Sequence, residues 1–125
     1  MKRNWIYQSY KEKNCGQIAV SVITGKSLDE ITKMIGHSKG TTTKELVKVL
    51  RSLGYVCPDR CKPMKQMPKL AIAQMKNIGR KYGWHWVVID GKKIYDGQCG
   101  KSDGTVNWNG GKITSYLPIT EPNII

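Results

Sequence analysis

The stretch from Trp84 to Asp96 constrains this chain more than any other. Trp84-His85-Trp86-Val87-Val88-Ile89 is a run of aromatic and β-branched residues, Asp90-Gly91 is a two-residue hairpin signal, and Lys92-Lys93-Ile94-Tyr95-Asp96 reads as the returning strand. With Asp90-Gly91 as the turn, Ile89 is expected opposite Lys92 and His85 opposite Asp96. Strand alternation puts His85 on the face of Val87 and Ile89, with Trp84, Trp86 and Val88 on the other. A longer loop would shift the register and set Gln98 opposite His85 instead.

Helices are expected ahead of this hairpin. Asn14 is placed to N-cap a helix over 15–24, where Ile18, Ala19, Val22 and Ile23 recur at helical spacing and Gly25 supplies the stop. Ser27 and Glu30 form the pattern of a capping box, as do Thr42 and Glu45. The first opens a short helix through Ile31, Met34 and Ile35. The second opens a helix with Leu46, Val49, Leu50 and Leu53 on one face and Gly54 at its end. Residues 57–68 contain three prolines and read as an extended loop. Leu70-Ala71-Ile72-Ala73-Gln74-Met75 fits strand or helix equally. Residues 97–111 carry five glycines and read as a loop, followed by a last strand over 112–119. Helices first and antiparallel strands later make the fold class α+β, in a single domain spanning 1–125.

At 125 residues the chain can bury enough apolar surface to fold without disulfides or metal, so its four cysteines are free for other work. Their irregular spacing does not resemble a secreted disulfide framework. The polar opening Gln8-Ser9-Tyr10-Lys11-Glu12-Lys13 is unlike a signal core, and no run approaches the roughly 18 apolar residues of a membrane helix. A cytoplasmic address is expected. The 21 Lys and Arg against 9 Asp and Glu give a net charge of +12, which favours acidic partners, nucleic acid or anionic surfaces.

Two residues invite a chemical reading. Cys15 falls in the first turn of a helix, where unpaired backbone N–H groups and the helix dipole favour the thiolate, although a lone cysteine there is also what a small core residue looks like. His85 opposite Asp96 would have its ring oriented by a carboxylate across the hairpin, an arrangement that serves a nucleophile or simply stabilises the pair of strands. Asp90 is a poorer partner, five residues away and on the opposite parity.

Taken together, Gln8, Asn14-Cys15-Gly16 at a helix start, His85 heading a Val-Val-Ile strand and Tyr95-Asp96 on the return resemble the papain-like cysteine peptidases. The likeness is strongest to the bacteriocin-processing peptidases that cut after double-glycine leaders, and it covers about residues 7–100. The resemblance implies a papain-like fold, with N-terminal helices packed on a C-terminal antiparallel sheet. It implies Cys15 as nucleophile, His85 as general base, Asp96 as the residue orienting it, and Gln8 with the Cys15 N–H as oxyanion donors. It also implies a peptide or protein substrate, no cofactor and no metal, in a free-standing bacterial or phage enzyme. Four positions depart from the family pattern: Gln8 lies one residue further from the cysteine than usual, Asn14 replaces Asp, Trp84 replaces a small residue before the histidine, and Gly97 replaces a proline after the aspartate. A papain-like acyltransferase shares the same architecture.

Cys57-Pro58-Asp59-Arg60-Cys61 is one pair of possible ligands where zinc needs two, and its spacing is not that of thioredoxin-like motifs; loop thiols near the core are expected. His37 is expected at the surface. The scattered lysines read as solvated faces. With Trp5, Tyr7, Tyr10, Trp84, Trp86 and Trp108 available for stacking, a non-catalytic basic module for nucleic acid or an acidic protein is the competing reading, and it predicts salt-sensitive binding that survives Cys15→Ala.

Overall fold

The computed structural model describes residues 14–66, 68–76, 84–91, 93–95, 105–106 and 113–122. Three helices precede the strands: α1 (Cys15–Thr24), α2 (Leu28–Ile35) and α3 (Thr43–Ser52). The strands are β1 (Lys62–Pro63), β2 (Leu70–Lys76), β3 (Trp84–Asp90), β4 (Lys93–Tyr95), β5 (Thr105–Val106) and β6 (Ile113–Pro118). They form one sheet in the order β1-β6-β2-β3-β4-β5, with every pairing antiparallel. The α+β class and the helices-then-sheet order are as expected.

α1 has the expected bounds and ends where Gly25 takes the left-handed conformation. It is buried on nearly all sides, from Gly16 to Ile23, because it packs against β3 as well as α2 and α3. Its polar residues therefore need internal partners: Ser21 Oγ donates to the Lys26 carbonyl, and Gln17 is discussed below. The Thr42–Glu45 capping box forms in full. The Ser27 box forms by half: the Glu30 N–H reaches Ser27 Oγ, while the Glu30 carboxylate turns to Lys26 at 3.8 Å.

The stretch from Leu70 to Met75 is a strand, and its lack of alternation has a physical cause. β2 lies between β6 and β3, and both of its faces are covered. Leu70 and Ile72 join Trp86, Val88, Tyr95 and Leu117 in the core beneath the helices. Ala71, Ala73 and Met75 join Val87, Ile89, Ile94 and Ile113 in a second cluster on the opposite face. A strand buried on both sides reads as a continuous apolar run.

Two loop expectations need correction. The proline-rich segment contributes β1, which pairs Lys62 with Tyr116 and Pro63 with Ser115 at the sheet edge. The glycine-rich segment contributes β5, which pairs with β4. The hairpin register also differs. Asp90 pairs with Lys93 and Ile89 with Ile94, so the tip begins at Gly91 rather than Asp90. Gly91 takes φ +63°, the positive value that the first position of a tight hairpin turn requires, and donates its N–H to the Lys69 carbonyl at 2.7 Å. The described rungs thus depart from the register on which the pairing of His85 with Asp96 rests. Asp96 and Gln98 themselves lie outside the described residues.

Candidate active site around Cys15

Cys15 is the first residue of α1. Asn14 occupies the cap position with φ −103° and ψ 29°, and its carbonyl accepts the Ile18 N–H at 3.0 Å, but its side chain makes no cap bond. The backbone N–H groups of this first turn have no acceptor within the helix, and the dipole there favours negative charge.

The thiol meets the sheet edge-on. Trp86 donates its backbone N–H to Cys15 Sγ at 3.4 Å. Alternate residues of a strand send their N–H groups to opposite sides. Gly91 donates toward β2, so the odd-numbered residues of β3 face β2 and Trp86 faces the side on which β4 pairs. The described rungs with β4 stop at Val88–Tyr95. Cys15 takes the next N–H along that side, two residues further toward the strand start.

His85 is the residue before Trp86 and is only 6% exposed. The strand alternates as expected: Val87 and Ile89 lie in the second cluster, Trp86 and Val88 beneath the helices, so His85 belongs to the face away from α1. Cys15 itself packs against the helix-side cluster, and its sulfur reaches the strand backbone at Trp86, one residue from His85. The structure therefore brings the cysteine to the strand position adjoining the histidine. Gln8 and Asp96, the other two expected site residues, lie outside the described residues. Asp90 stands at the far end of β3, half-buried and paired with Leu70 and Lys93.

Trp86 and two residues that sequence reasoning missed, Thr41 and Gln17, hold Cys15 in this place. The Trp86 indole N–H donates to the Thr41 carbonyl at 3.4 Å, across 45 residues of chain. Thr41 is buried against Gly16, the residue after the cysteine. Gln17, fully buried, donates its amide to the carbonyls of His37 and Lys39 at 2.8 and 2.9 Å. The loop from His37 to Thr41 thus grips the first turn of α1 on one side and β3 on the other. Only the glycine following the cysteine hinted at such close approach.

His37 is half-buried rather than a free surface residue. Its Nδ1 accepts the Lys39 N–H at 3.1 Å, and its Nε2 meets the Glu45 carboxylate. The tautomer follows: a lone pair at Nδ1 leaves the proton on Nε2, where it points at the carboxylate. Both nitrogens are thus committed to structural bonds.

Cys57 is buried and Cys61 half-buried, both free thiols against the helix-side core, as expected. Burial, the largest influence on each, pushes both thiols above their ordinary value. Among the described residues no cluster of three His, Cys, Asp or Glu side chains could hold a metal ion. Nor, among them, is any helix long and apolar enough to cross a membrane. A groove of about 420 Å³ runs between α2 and α3, lined by Met34, Ile35, Glu45, Lys48, Val49 and Ser52. Its lining includes neither Cys15 nor any residue of β3, so it takes no part in the thiol site. Compared with known proteins, the chain matches no family model and no curated sequence.

Proposed function

We propose that this protein is a cysteine peptidase with a papain-like arrangement, acting on a peptide or isopeptide bond. The observation that supports the reading is the 3.4 Å contact between the Trp86 N–H and the thiol of Cys15, one residue from His85 along β3. A thiol at a helix N-terminus that can pair with an imidazole is the core of an activated cysteine nucleophile.

In this mechanism His85 takes the proton from Cys15 Sγ, and the thiolate attacks the carbonyl carbon of the scissile bond. The oxyanion is held by the Cys15 N–H and, as the family resemblance implies, by Gln8. The C–N bond then breaks as the imidazolium returns its proton to the leaving amine. Water, deprotonated by His85, hydrolyses the thioester and frees the thiol. Asp96 is assigned to orient the imidazole by the family resemblance alone, since the β3–β4 rungs do not follow the register that sets it opposite His85.

The test is the pH dependence of iodoacetamide alkylation at Cys15, located by peptide mass mapping, in the wild type and in His85→Ala. Alkylation well below the ordinary thiol range near 8.5, lost in the variant, is the expected result. A Cys15 that titrates like free cysteine, or is indifferent to His85, overturns the proposal.

A further inference from the structure

We propose that Trp84 is a substrate-contacting wall beside the thiol, receiving an uncharged aromatic or branched apolar side chain of the peptide. The inference rests on the reading of Cys15 as the nucleophile and adds to it a class of substrate.

Trp84 is 48% exposed, an unusual position for an indole whose strand is otherwise buried from His85 to Ile89. It shares a face with Trp86, and the two rings meet edge to face, with centroids 4.9 Å apart and planes at 87°. Trp86 is itself only 3% exposed and is fixed twice, by its indole N–H on the Thr41 carbonyl and by its backbone N–H on Cys15 Sγ. A buried residue held through both its ring and its backbone therefore supports a half-exposed indole, and this single residue links that open ring to the sulfur. Edge-to-face packing fixes the outer ring, so a ligand that covers it loses little freedom and removes a large apolar area from water.

The charge around the ring selects what can cover it. Lys76 stands directly opposite Trp84 on β2 and is exposed. Cross-strand partners on one face have Cβ atoms about 4.5–5.5 Å apart. A cationic side chain laid on the indole would meet that ammonium, in a protein whose net charge is +12. A carboxylate is drawn to the Lys76 ammonium beside the ring rather than onto the negative π face itself. An uncharged apolar side chain is neither repelled nor drawn aside.

The experiment compares the rates at which iodoacetamide, N-benzyliodoacetamide and a trimethylammonium-bearing iodoacetamide label Cys15, each normalised to its rate with free cysteine. The benzyl reagent is expected to gain about fivefold or more over iodoacetamide. Trp84→Ala is expected to return that ratio to the free-cysteine value, and Trp84→Phe to keep part of it. Equal normalised rates in the wild type, a preference for the cationic reagent, or a benzyl preference that survives Trp84→Ala each overturn the inference. A second measurement does not depend on thiol chemistry: the NMR signal of the Trp84 indole N–H, followed on addition of N-acetylphenylalanine amide and, separately, N-acetyllysine amide. A saturable shift with the first alone supports the wall even if Cys15 proves unreactive, and no shift with the first overturns it even if Cys15 is activated.

Discussion

The hydroxyl of Thr41 occupies the space in which a side chain on Gly16 would begin. A Cβ built on Gly16 would stand 1.9 Å from Thr41 Oγ1, with Thr41 Cβ and Cγ2 at 3.0 and 3.1 Å, so no rotation of the threonine clears it. The helix bearing Cys15 can approach this loop only because position 16 has no side chain.

Gly16→Ala therefore destabilises the protein although alanine is the better helix former. Overpacking of this kind costs about 1–3 kcal/mol, and the gain in helix propensity returns at most about 1 kcal/mol. A urea midpoint below the wild type's is expected, with recovery in the Gly16→Ala/Thr41→Ala double variant. Thr41 Oγ1 is buried without a partner, so its removal costs no hydrogen bond. Equal midpoints for Gly16→Ala and wild type would show that the loop yields freely.

Glu45 links two structures, the cap of α3 and the loop at His37. The Thr42 backbone N–H, then His37, holds its carboxyl below the ordinary 4.5, against an opposing push from burial. A carboxylate lowered in the folded state adds stability above its ordinary value, and this is lost as pH falls through the lowered one. Glu45→Gln should cost about 1 kcal/mol at neutral pH. Denaturation series should show the gap between the two proteins narrowing as pH falls below 4.5 and closing once it has passed through the lowered value. A gap that persists there would mean the charge is not what matters.

Cys57 and Cys61 should be poor nucleophiles, because burial raises both thiols above their ordinary 9.0. At pH 8 each is expected to alkylate about tenfold or more slowly in the folded protein than in the urea-unfolded chain. The linkage has the opposite sign to that of Glu45. A thiol raised in the folded state gives stability that is complete below 9.0 and lost as pH climbs through the raised value. Cys57→Ala should accordingly flatten part of the alkaline fall in stability, read from denaturation midpoints between pH 8 and 10.

The hairpin tip gives a test of backbone conformation alone. Gly91 has φ +63° and open space where a Cβ would sit. Gly91→Ala should cost about 1 kcal/mol through strain, and Gly91→Asn less. The corresponding fall in Tm is about 3–6 °C for a chain of this size. Equal melting temperatures for the alanine variant and wild type would place the turn elsewhere.

Much of this fold could be read from short-range signals. Asn14 and Gly25 bracket α1 at its observed bounds, and Thr42 with Glu45 announces α3. Aromatic and β-branched residues mark β3. What could not be read depends on partners distant in sequence. β1 is two residues long, too short for any period, and exists because β6 pairs with it. β2 hid its identity because helices cover one face and a second apolar cluster the other. The turn slipped by one residue because Gly91, not Asp90, takes the strained position. Of the candidate site, the place of Cys15 at a helix start and that of His85 on the Val87 face of β3 were legible from capping and strand parity. Thr41 and Gln17 carry no local signature, since their role is to fill and fasten space made by other segments.

The contact between Cys15 and Trp86 spans 71 positions of sequence. A chain emerging during synthesis thus carries Cys15 long before the strand that receives it exists. Until β3 has been made and has joined β2, the thiol has no sheet to meet and remains an ordinary cysteine. Whatever reactivity Cys15 acquires from its surroundings comes with the finished molecule, so a nascent or truncated chain carries only an ordinary thiol at this position.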